Sequence, residues 1–115
     1  MRRFSVGAVA AAAKSGRADR PATAVALDTA DVRAVVFRLE PGQQVAPHTS
    51  ASSVLLIVAE GQGYFSDAAG EQSVGAGDAA GFEPGELHGM RAGAEQFEVL
   101  AVIAPRPGTR NAPAA

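Results

Sequence analysis

Turn signals recur along this chain at intervals too short for a helical domain. Pro41-Gly42, Gly61-Gln62-Gly63, Asp67 to Gly70, Gly75 to Asp78, Pro84-Gly85 and Ala92-Gly93 cut the stretch after Pro21 into segments of strand length. Helices need longer unbroken periodic runs, so this punctuation predicts an antiparallel all-β sandwich or barrel. The segments between the turns carry strand residues. Asp31–Glu40 holds Val32, Val35, Val36, Phe37 and Leu39, and Gln96–Ala104 holds Phe97, Val99, Leu100, Val102 and Ile103. Val54–Glu60 is a continuous apolar run, which reads as a strand buried on both faces. Tyr64-Phe65, Glu71–Val74, Ala79–Glu83 and Leu87–Ala92 supply shorter strands.

The chain has 115 residues, enough for a single hydrophobic core. Hydrophobic residues make up 47% and charged residues 19%, the balance of a folding chain. Much of the apolar share is alanine, which buries little area, so Val, Leu, Ile and Phe must carry the core. The absence of cysteine excludes disulfides, cysteine-ligated zinc, iron–sulfur clusters and a thiol nucleophile. A net charge of −2, with no basic stripe interleaved with aromatics, gives no reason to expect nucleic acid or an anionic membrane as partner.

Residues 1–20 form a basic segment, with Arg2, Arg3, Lys14, Arg17 and Arg20 against Asp19. Phe4–Val6 reads as a short strand, followed by an Ala-rich helical turn stopped by Gly16. Residues 1–13 also fit a weak secretory signal, which would make the protein secreted rather than cytoplasmic, the compartment expected here. The main domain is expected over 21–104. Three prolines after Ala104 predict an extended or frayed tail over 105–115.

The chain has two histidines, His48 and His88, each placed beyond a Pro/Gly turn and about forty residues apart. Gly42, His48 and Gly61 fall at the spacing of one motif: glycine, five residues, His-x-His, a glutamate, six residues, glycine. Gly77, Gly85 and His88 fit a second, built on glycine, five residues, Pro-x-Gly and a histidine. With these two motifs in order, the region from Val32 to Pro105 resembles the cupin superfamily. The resemblance implies a small jelly-roll β-barrel of RmlC-like type, with a site inside it. Cupins of this type usually hold a divalent metal through three histidines and one glutamate.

Here the pattern is degenerate. Ser50 occupies the second histidine position, Val54 the glutamate position, Glu83 the first proline and Ala92 the final asparagine. Only His48 and His88 remain of the four implied ligands. A catalytic metal usually keeps at least three protein ligands, so iron, manganese, nickel or zinc would need another carboxylate. Glu86 is the first candidate, two residues before His88 and on its face of a regular strand, with Glu83 and Glu60 behind it.

The expected site is therefore a pocket at His48, Ser50, Val54, His88 and Met90. Two functions follow. One is a module that binds a small organic molecule without a full metal site. The other is a metal-dependent oxygenase or isomerase using His48, His88 and an unrecognised carboxylate. Metal-free acid–base catalysis by a histidine is a weaker third. The serines after His48 form no nucleophile elbow and read as a polar loop. Phe37, Phe82 and Phe97 read as core, and Arg38 and Arg91 as solvated positions. The resemblance also implies a homodimer, for which Phe4–Val6 is the candidate edge strand.

Overall fold

The structure is a computed structural model and describes residues 1–15 and 17–108. One helix, α1 (Val6–Ala12), precedes nine strands: β1 (Ala22–Asp28), β2 (Arg33–Leu39), β3 (Gln44–His48), β4 (Ser53–Glu60), β5 (Gln62–Asp67), β6 (Gly70–Gly75), β7 (Ala79–Phe82), β8 (His88–Ala92) and β9 (Phe97–Ala104). They form two antiparallel sheets, one in the order β1-β2-β9-β4-β7 and the other β3-β8-β5-β6. The inner faces enclose the core, which includes Leu39, Leu56, Val58, Phe65, Phe82, Phe97 and Val99. This is the antiparallel all-β architecture expected from the turn spacing, in the jelly-roll form that the cupin resemblance implied.

Register explains which side chains reach the interior. Residues directly opposite each other across antiparallel strands share a face. Phe37 pairs with Val99, and Val99 with Val58. Val35 pairs with Ala101, and Ala101 with Leu56. These rows line the inner face of the five-stranded sheet. The alternate rows point outward, among them Val36, Leu100 and Ile57.

The apolar run in β4 is accordingly not buried on both faces. Val54, Leu56 and Val58 are buried, whereas Leu55 on the opposite face is 40% exposed. A sandwich strand needs only one apolar face, and α1 contacts β4 far less than it contacts β1 and β2.

The N-terminal segment also corrects the sequence reading. Phe4–Val6 is no strand: Val6 opens α1, and Ser5 caps it by accepting a 3.3 Å hydrogen bond from the Ala8 amide. An edge strand at Phe4–Val6 is therefore not available for pairing with a second copy. The helix buries Ala10, whose carbonyl accepts a 2.6 Å bond from Arg38 of β2. Gly16, expected to stop the helix, lies outside the described residues; α1 ends at Ala12 with Ala13 as its cap. An extended strand contact does occur nearby, as a bridge between Lys14 and Thr23 of β1.

Past β9 the chain is tied down before residue 109. Ser52 donates to the Pro105 carbonyl at 2.7 Å, the Arg106 amide donates to the Asp31 carbonyl, and the Arg106 guanidinium clamps Asp28. The remainder of the predicted tail, 109–115, lies outside the described residues.

Candidate functional site

β3 and β8 bring the two histidines together. His48 and His88 are cross-strand partners, with ring centroids 4.4 Å apart and planes tilted by 57°. His88 is buried, and the Phe82 ring lies 5.1 Å beyond it. His48 is exposed at the end of the edge strand β3. Pro47 is tolerated there because an edge strand can spare an amide.

Each imidazole is oriented by its own backbone. His48 Nδ1 lies 2.9 Å from the Ala46 carbonyl, and His88 Nδ1 lies 3.0 Å from the Glu86 carbonyl. A carbonyl oxygen only accepts, so Nδ1 carries the hydrogen in both rings. Each Nε2 is thereby left to accept or, when the ring is protonated, to donate. Among the described residues neither Nε2 has a hydrogen-bond partner.

Both rings wall a cavity of about 90 Å³ between the sheets. Ser50, Val54 and Met90 line it too, so all five residues of the predicted pocket share one cavity. Phe37, Val45, Leu56, Gly89, Ala101 and Ile103 complete the walls. Sequence reasoning placed Phe37 in the core and singled out none of the other five. Strand alternation could have found one of them, since Leu56 shares a face with Val54.

Gly89 has a particular role. A Cβ there would lie 2.9 Å from Ser66 Oγ and 3.0 Å from both Pro47 N and Val45 O. The missing side chain lets β3 close on β8, which is what pairs the histidines. Gly61 of the first motif is constrained differently: its φ is +82°, and a Cβ would collide with the Gln96 carbonyl.

The candidate third ligands lie elsewhere. The Glu86 carboxylate turns back to accept a 3.0 Å bond from the Glu83 amide, and it faces a separate cavity beside Phe65, Gln72 and Phe82. Glu83 is exposed in the same turn. Glu60 follows a register shift in β4 and lies across from Glu98, outside the cavity. Among the described residues, no three histidine or carboxylate side chains are grouped to hold a metal ion. The donor set at the cavity, two imidazole nitrogens and a serine hydroxyl among apolar walls, falls short of what a divalent catalytic cation requires.

The arginines near the site face away from it. Arg91 pairs with Glu71 at 2.7 Å and stacks on Tyr64 at 3.9 Å, so Glu71 is held below the usual carboxylate range by that hydrogen bond. Arg38 pairs with Glu40 at 3.1 Å.

A profile of the cupin domain matches residues 35–103, more than half of the chain and both histidine strands. The chain belongs to the cupin family. No curated protein sequence matches this cupin. Solved structures do. An uncharacterised protein with a double-stranded β-helix domain from Klebsiella pneumoniae is 29% identical, with a TM-score of 0.81 over 93% of this chain and 92% of that one. A protein from Thermus thermophilus shares the fold at 23% identity and a TM-score of 0.82, over 93% of this chain and 100% of its own. A predicted oxalate decarboxylase from Thermotoga maritima is 25% identical, with a TM-score of 0.69, over 74% of this chain and 80% of that one. Among the described residues no helix of this cupin is long and apolar enough to cross a membrane.

Proposed function

We propose that this cupin binds a small organic molecule at the histidine cavity without a full metal site. The observation that carries the reading is the lining: apolar walls with two pre-oriented imidazole Nε2 atoms. That combination suits a ligand with an apolar body and one hydrogen-bonding atom. A cavity of 150 Å³ accepts benzene, so the roughly 90 Å³ here takes only the end of a larger molecule.

Metal-dependent chemistry is the second reading, favoured only by the pairing of His48 and His88. Plasma mass spectrometry on untagged protein offered iron, manganese, nickel and zinc separates the two. The binding-module reading expects far less than one metal per chain, both in the wild type and in His48→Ala. It also expects small neutral organic probes to shift the His88 ring resonances, with His88→Ala weakening their binding. Near-stoichiometric metal that is lost in His48→Ala would overturn it in favour of the enzyme.

A further inference from the structure

The basic N-terminal segment has a place beside this site. A cleft of about 510 Å³ opens between β1 and β3, and it shares Phe37 and Val45 with the histidine cavity as walls. Lys14 and Arg20 line it, and among the described residues no carboxylate does. The Lys14–Thr23 bridge explains how the lysine arrives there. Lys14 lies opposite Thr23, and Thr23 opposite Phe37, so the three side chains share the inner face of the sheet. This row runs from the cleft mouth to the wall of the histidine cavity.

The charges of the cleft are unspent. Arg17, Arg33, Arg38, Arg91 and Arg106 each pair with an aspartate or glutamate. Among the described residues from Lys14 onward, Lys14 and Arg20 are the cations without a carboxylate partner. Both border the same cleft, where Pro21, Phe37 and Val45 offer apolar surface beside the polar Ser15, Thr23 and Gln44.

We infer that this cupin takes a small amphipathic organic anion, its carboxylate between Lys14 and Arg20 and its apolar body running past Phe37 and Val45 toward the histidines. This rests on the histidine cavity being a ligand site, and it adds the class of ligand. It also resolves the size mismatch, because the narrow inner cavity holds only the far end of the molecule.

The test titrates full-length protein with butanoate, hexanoate and octanoate, and with the matching amides, following the His48 and His88 ring resonances. Each carboxylate should bind more tightly than its amide, and added salt should narrow the gap. Lys14→Ala/Arg20→Ala should weaken carboxylate binding about twofold to thirtyfold, the range of two exposed ion pairs, and weaken amide binding much less. Both residues are exposed, so the variant should keep the wild-type unfolding midpoint. Equal binding of carboxylate and amide, or a preference that survives the double variant, would overturn the anion class while leaving the cavity reading intact. Failure of every probe to move either histidine would overturn both. A dimer in solution that shields Lys14 from amine labelling would overturn the inference too, since a second copy would then fill the cleft.

Discussion

Glu98 should weaken the fold at neutral pH, and Glu98→Gln should relieve the strain on it. The residue lies on β9 with only 6% of its surface exposed, and its Oε1 has no hydrogen-bond partner among the described residues. Its register neighbours are Arg38 on β2 and Glu60 on β4. Burial raises its pKa above the ordinary 4.5, Glu60 and Glu40 raise it further, and Arg38 opposes them. Leaving a buried neutral polar group unpaired costs roughly 1–3 kcal/mol and a charged one more, so the ionised carboxylate costs more than the amide that would replace it. Arg38 offsets part of this, leaving a net penalty of about 1 kcal/mol in line with that range. At about 2.1 cal/mol/K per residue of unfolding entropy, that is a midpoint increase of roughly 4 °C for the glutamine variant.

The sign with pH follows from linkage. A carboxyl whose folded pKa is raised binds more protons folded than unfolded, so stability falls as pH rises from 4.5 through the folded value. Below 4.5 the group is neutral in both states, and glutamine is then nearly isosteric with it. Urea unfolding of both proteins at neutral pH and at about pH 4 should show Glu98→Gln more stable at the first and equal at the second. A variant less stable than wild type at neutral pH would refute the reasoning, because the carboxylate would then be making a favourable contact with Arg38. A gap independent of pH would refute it as well.

Two other variants probe different parts of the molecule. Ser50→His/Val54→Glu restores the donor types that the cupin pattern implies, around imidazoles whose Nε2 atoms are already free. It should raise metal content from near zero to near one per chain, and the metal-free form should be roughly 3 kcal/mol less stable than wild type because a carboxylate is buried unpaired. Mass spectrometry and unfolding with and without chelator check both effects. Asp28 is held down to about 2 by hydrogen bonds from Arg106 and then Arg33, with burial opposing them. A lowered carboxylate contributes stability above its unfolded value of 3.8, and this is lost as pH falls toward 2. Asp28→Asn should therefore flatten acid unfolding in that window and speed amide exchange at Arg106, as followed by hydrogen exchange.

Much of this protein was legible in local residue choice. Turn residues break strands by local geometry, so Pro41-Gly42, Gly61 and Pro84-Gly85 marked an antiparallel all-β chain. The Val, Leu, Ile and Phe content between turns located β2 and β9. The spacing of Gly42, His48, Gly77, Gly85 and His88 led to the cupin family, and the pocket residues His48, Ser50, Val54, His88 and Met90 do share one cavity. Less legible were β1 and β3. The alanines of β1 favour helix as readily as strand in isolation, and only pairing with β2 settles them. Pro47 disguises β3, which exists because β8 supplies a partner and Gly89 leaves room for it.

Sequence alone determined the class of fold, the strand punctuation and the presence of two histidines with too few partners, because each is a property of local spacing. Tertiary structure decided everything that depends on direction and distance. It turned Glu86 and Glu60 away from the cavity, made Phe4–Val6 the approach to a helix, and left Lys14 and Arg20 without a carboxylate partner among the described residues, at a cleft mouth. The physical reason is that alternation tells which residues share a face of one strand, whereas the neighbours facing them come from strands dozens of residues away.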